Sequence, residues 1–186
     1  MTKQLSALAL ALAVTGISHP ACAEGNYVGI GFSPYSLDAE ANGSSISGDA
    51  NVLEGYYGFE WNDFFAAELR LGFGLGSGDL ELDSNIYSGD VGKVKITSMY
   101  GLYAKPQFKS GGFKAYALLG YAGYSTETTI EYGSYSESED TTDDGFSYGI
   151  GAGFDFGQHG IALEWKTTKI DGGDISGVAA FYQYQF

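Results

Sequence analysis

Side chains on the last twelve residues of this chain, 175–186, sort by parity: Val178, Ala180, Tyr182, Tyr184 and the terminal Phe186 fall on one side, and Gly177, Ala179, Phe181, Gln183 and Gln185 on the other. A period of two belongs to a strand and conflicts with a helix, whose faces repeat every ~3.6 residues. The same period returns along most of the chain. After residue 23 no apolar run approaches the ~20 residues a membrane helix needs, so this chain can enter a bilayer only as strands.

Eight strands are legible, over about 27–33, 52–61, 65–75, 93–105, 113–124, 146–156, 161–166 and 175–186. In the first, Val28, Ile30 and Phe32 oppose Gly29, Gly31 and Ser33; in the sixth, Phe146, Tyr148, Ile150, Ala152, Phe154 and Phe156 oppose Ser147, Gly149, Gly151, Gly153 and Asp155. In the fourth, Val94, Ile96, Tyr100 and Leu102 share the apolar parity, Lys93, Lys95, Tyr103 and Lys105 take the other, and Pro106 is expected to end the strand. The fifth is balanced between its faces and leaves its orientation open. Matching the apolar faces of strands two and three places Trp61 opposite Phe65, which asks for a three-residue turn over 62–64, because a two-residue turn flips one face. Long polar connections alternate with short ones, although the last, around Asp171-Gly172-Gly173, is short where the pattern calls for a long one.

At its start the chain has Lys3, an apolar run over 5–14 and Ala21-Cys22-Ala23, the charged, hydrophobic and small-residue regions of a secretory signal peptide. Cleavage after Ala23 is expected to leave one domain over 24–186. It also removes the single cysteine, so disulfides play no part in stability.

Alternation alone does not separate a membrane barrel from a soluble one with an apolar lumen. Size does, since an eight-stranded interior holds little more than its own filling side chains. The Phe, Tyr, Trp and Leu face is too bulky for it, whereas the Gly, Ala and Ser face fits. Glu54, Glu60, Glu68, Arg70, Lys93, Lys95, Lys105, Asp155, Glu164 and Lys166 all share the small-residue parity. Turning these charges toward hydrocarbon at ~2 kcal/mol or more each costs on the order of 20 kcal/mol, more than a domain's whole stability. The expected fold is therefore all-β, an eight-stranded antiparallel transmembrane up-and-down β-barrel. Its lumen is expected to be largely plugged by an ion network of those ten residues, because isolated charges there are heavily penalised.

The leader, the Tyr27-Val28-Gly29-Ile30-Gly31-Phe32 opening, the Asn62-Asp63-Phe64-Phe65-Ala66-Ala67-Glu68-Leu69 hairpin, the 146–156 strand and the terminal Phe186 together resemble the small eight-stranded outer-membrane barrels, the opacity-type and OmpA-like group. The resemblance implies residence in the bacterial outer membrane. It also implies that Tyr182, Tyr184 and Phe186 form the signal read by the outer-membrane assembly machinery. Members of the group act as adhesins, structural anchors or narrow pores. A structural or surface-interaction role is the expectation, with a minor narrow porin as the alternative.

Nothing points to catalysis. His159, the one histidine beyond the leader, reads as a solvated turn residue without a serine two positions away. No cofactor motif is present. The net charge is −14, and −15 once Lys3 leaves with the leader. This disfavours nucleic acid as a partner and leaves lipid, lipopolysaccharide and a cationic surface partner. No specific metal motif exists. Asp79, Glu81 and Asp83 alternate with Leu80 and Leu82, and are expected to line an extracellular ribbon of strands three and four, offering diffuse divalent-cation contact near lipopolysaccharide phosphates.

Overall fold

Alternation continues well beyond the apolar runs, so the strands are longer than hydrophobicity alone marks them. The computed structural model describes residues 25–41, 44–83, 88–132 and 135–186; the leader expected over 1–23 lies outside them. Nine strands follow in order: β1 (Asn26–Ala41), β2 (Ser44–Asn62), β3 (Phe65–Gly74), β4 (Gly78–Asp83), β5 (Ser88–Ser110), β6 (Phe113–Tyr132), β7 (Tyr135–Phe156), β8 (His159–Ile170) and β9 (Gly173–Gln185). Each pairs antiparallel with its neighbours in the order β1-β9-β8-β7-β6-β5-β3-β2, and β2 returns to β1. The sheet thus closes as an up-and-down barrel with a wall of eight strands. β4 continues β3 past a break at Leu75-Gly76-Ser77, where Gly76 takes a positive φ of 96°, and pairs with both β5 and β2.

Three local expectations are corrected. The polar stretches between strands are largely not loops: β1 and β2 stay paired to Ala41↔Ser44 and β6 and β7 to Tyr132↔Tyr135, forming ribbons above the apolar band. Pro106 does not end its strand. It lies within β5, whose ladder to β6 resumes at Gln107↔Tyr116 in the register held at Ala104↔Leu119. The turn between β2 and β3 has two residues, because Trp61 bulges out between Glu60↔Ala66 and Asn62↔Phe65 and absorbs the parity change. Asn62 closes that turn by accepting the Phe64 N–H at 2.8 Å.

A second bulge has larger consequences. The β5–β6 register shifts between Ile96 and Ser98, leaving Thr97 as the extra residue. Above it, facing is reversed relative to a uniform alternation. Val94 and Ile96 turn into the barrel and are buried, while Lys93 and Lys95 turn outward. β6, whose facing the sequence leaves open, directs Lys114, Tyr116, Leu118, Ala122 and Tyr124 inward and Leu119 and Tyr121 outward.

The outward face is a continuous apolar band. Leu102 and Ile150 are each 64% open to the surroundings, which is disastrous in water and appropriate in lipid. On β7 the band runs over residues 146–156, the length of a tilted membrane strand. Aromatic rings border it, as at membrane interfaces. At the end carrying the chain terminus, His159 packs against Phe156, Tyr182 and Tyr184, and Tyr184 against Phe186, with ring centroids 5.4–6.3 Å apart. His159 begins β8 and its Nδ1 meets the Tyr182 hydroxyl. It is therefore a girdle residue rather than a solvated turn residue.

Candidate functional site

Charge in the lumen gathers around one guanidinium. Arg70 on β3 is fully buried. Its Nε donates to Glu68 Oε2 at 2.9 Å and its Nη2 donates to the same oxygen. Its Nη1 and Nη2 reach Glu164 Oε2 and Oε1 at 2.6 and 3.0 Å, a two-pronged contact to β8, which lies diametrically opposite in the ring. Glu54 Oε2 stands 3.8 Å from Nη1. Lys105 Nζ donates to Glu68 at 2.6 Å, and Lys166 Nζ donates to both oxygens of Glu54 at 2.9 and 2.7 Å. Three carboxylates thus meet three cations, and the cluster is neutral.

Tyrosines complete it. Tyr27 and Tyr116 donate to Glu68 and Glu164, each at 2.7 Å, and Tyr35 donates to Glu54. The rings also shield the cations: Arg70 lies 5.0 Å from the Tyr56 centroid and Lys105 lies 3.9 Å from that of Tyr116. Room for these rings comes from glycines on neighbouring strands. A Cβ at Gly29 would sit 2.1 Å from the Tyr56 ring, and one at Gly58 would sit 2.1 Å from Tyr27. The Gly-rich parity read from the sequence is the floor on which the tyrosines lie.

Two further layers bracket the cluster. Toward the chain termini, Lys114 donates to Asp155 at 2.7 Å and to Gln183 at 2.9 Å, and Lys109 donates to Glu60 at 2.5 Å. Toward the external ribbons, Tyr103, Ser147, Thr168 and Tyr124 form a hydroxyl chain with steps of 2.9–3.2 Å. Beyond it Tyr35, Ala50, Val52, Val94, Ile96, Met99 and Ile175 are all buried, and Tyr35 meets Tyr124 edge-on at 5.7 Å. The bulge at Thr97 supplies two of these apolar residues.

Of the ten charges expected inside, six join the Arg70 cluster, and Glu60 and Asp155 pair separately at the lower end. Lys93 and Lys95 do neither: they lie outside, exposed and half-buried, and form no ion pair among the described residues. Lys109 and Lys114 take their place. Lys109 lies beyond Pro106, where the sequence places the strand end, and Lys114 lies on the strand whose faces the sequence leaves balanced, although its own charge marks the inward parity. Asp79 and Glu81 are exposed on β4, with Lys93 as the register partner of Asp79. No metal-holding group of three His, Cys, Asp or Glu side chains occurs among the described residues. Tyr182 and Phe186 face outward on the closing strand.

Residues 7–186 match a family model described as an outer membrane protein beta-barrel domain. Among solved structures, the chain is similar to Ail, the attachment invasion locus protein of Yersinia pestis, solved in complex with the heparin analogue sucrose octasulfate (17% identity, 88% of this chain and 99% of that one, TM-score 0.54). It is also similar to Neisserial surface protein A (14%, 88% and 100%, 0.52) and to the outer membrane protein OprG from Pseudomonas aeruginosa (13%, 87% and 96%, 0.55). At these identities the likeness is one of fold. No curated protein sequence matches the chain.

Proposed function

The chain belongs to the outer-membrane β-barrel protein family and resides in the bacterial outer membrane, and from that premise we propose that it is a sealed, non-catalytic barrel whose external ribbons act by surface interaction. One observation carries this reading: the Arg70 cluster spans the lumen from β3 to β8, with the apolar layer closing it again above. An ion crossing the barrel must break charge-assisted hydrogen bonds of 2.6–3.0 Å and then pass a layer walled mostly by apolar side chains. Desolvation by either layer is costly.

What remains accessible is the exterior. The ribbons carry acids far in excess of bases, so a cationic partner suits them and a polyanion of the heparin type does not. Among the described residues, His159 is held among girdle aromatics and forms no ion pair and no hydrogen bond to a serine. Conductance in a planar bilayer tests the reading: the purified barrel is expected to stay silent, and steady single-channel steps would replace the sealed barrel with a narrow pore.

A further inference from the structure

The rim of the barrel is uneven. β7 remains paired with β6 up to Tyr132↔Tyr135, but its ladder to β8 stops at Phe146↔Lys169, because β8 turns into β9 at Asp171-Gly172, with Gly172 at φ 83°. Residues 135–145 of β7 therefore have a strand on one side and, among the described residues, none on the other. On the far side of the notch, β1 keeps its pairing to β9 only as far as Ala39↔Gly173. Three strand spacings of ~4.8 Å separate β7 from β1 there, which leaves space for an added strand in line with β8.

Which backbone groups face the notch follows from the ladder. The Asp155 N–H points toward β6, where it donates to Gly112 O at 2.7 Å. Antiparallel alternation then turns the odd residues of β7 toward β6, and the β6–β7 register holds without a shift to the top of the ribbon. The Thr141 carbonyl agrees, since it accepts from Thr126 Oγ1 on β6. The even residues, Ser138, Asp140, Thr142 and Asp144 among them, accordingly present N–H and C=O to the open edge.

Charge selects the occupant. Residues 135–145 read Tyr-Ser-Glu-Ser-Glu-Asp-Thr-Thr-Asp-Asp-Gly, five acids and no base. Asp140 and Asp144 are exposed on the outer face, Glu139 is exposed on the opposite face, and Asp143 is half-buried there. Lys169, at the foot of the notch, is already paired with Asp174. A second copy of this edge would set acid against acid, which is how natural edges avoid self-association. An extended cationic chain instead gains main-chain hydrogen bonds and attraction on both faces. We propose that the open edge of β7 binds a lysine- or arginine-rich extended peptide segment as an added β-strand.

This rests on the surface-interaction reading, and the two fail separately: a conducting barrel sinks that reading whatever a peptide does, whereas an unbound peptide on a silent barrel sinks the edge alone. The probe is acetyl-(Lys-Thr)5-amide, titrated onto the full barrel in vesicles of neutral lipid. The comparison peptide is the same sequence with all ten main-chain nitrogens methylated, which keeps the charge and removes the N–H groups on both sides of the strand. Binding at least tenfold tighter for the unmethylated peptide is expected. Thr142→Pro, which removes an N–H aimed at the notch and leaves the β6 ladder intact, is expected to erase that preference. In the unmodified barrel, amide exchange at Ser138, Asp140, Thr142 and Asp144 is expected to slow on peptide addition, while the odd residues keep the protection β6 already gives them. Equal binding of the two peptides, or no change at the even amides, overturns strand addition and leaves diffuse electrostatics.

Discussion

Replacing Arg70 with Met tests whether the lumen is held by its central cation. Glu68 would keep Lys105 at 2.6 Å and Tyr27 at 2.7 Å, and Glu54 would keep Lys166 at 2.7 Å. Glu164 would keep only the Tyr116 hydroxyl at 2.7 Å. The cluster passes from neutral to one uncompensated negative charge, and that charge sits on Glu164. A pair ~4 Å apart at an effective dielectric of ~20 is worth about 4 kcal/mol, which agrees with the ~3–5 kcal/mol lost when one member of a buried pair is removed. Arg70→Met is thus expected to lower unfolding free energy by about 3–5 kcal/mol. Glu164→Gln added to it should return about 2 kcal/mol or more, because the orphaned charge is gone. Urea titration in lipid vesicles, followed by tryptophan fluorescence, measures both. A loss that simply adds in the double variant would refute the assignment of the uncompensated charge to Glu164. An unchanged midpoint in Arg70→Met would refute the network as a source of stability.

The bulge at Thr97 predicts a labelling pattern: cysteines at Lys93 and Lys95 should react with a membrane-impermeant maleimide on intact cells, and cysteines at Val94 and Ile96 should not. The reverse pattern would restore uniform alternation. Lys93→Gln with Lys95→Gln should change stability by no more than ~0.5 kcal/mol, whereas Lys105→Gln, which takes a cation from Glu68, should cost about 3 kcal/mol. Gly58→Ala should cost about 1–3 kcal/mol, since its Cβ would displace the Tyr27 ring from a 2.1 Å approach, and near-ultraviolet circular dichroism should report the disturbed tyrosine. Wild-type stability in Gly58→Ala would show that the ring can shift freely.

Strand content, the membrane and, below the bulge at Thr97, the inward parity are determined locally, because a two-residue period with Glu54, Glu60, Glu68, Arg70, Lys105, Asp155, Glu164 and Lys166 on one side leaves a chain this size few other solutions. The ribbons were hidden for the opposite reason. Above the membrane neither face of residues 36–41, 44–47, 126–132 or 135–144 needs hydrocarbon, so the alternation loses its apolar half while the backbone pairing persists. Pairing decided what periodicity could not. A single extra residue at Thr97 reverses the facing of everything above it, exchanging Lys93 and Lys95 for Val94 and Ile96, and nothing in the local sequence fixes where a partner strand will force that residue out. The contact between Arg70 and Glu164 likewise joins residues 94 apart in the chain. Their inward parity is written in the sequence. That they meet across the lumen follows only from ring closure, which puts β3 and β8 on opposite walls. The notch beside β7 is of the same kind: the short Asp171-Gly172 turn is visible in the sequence, but the edge it leaves open belongs to a strand that only the closed sheet places next to it.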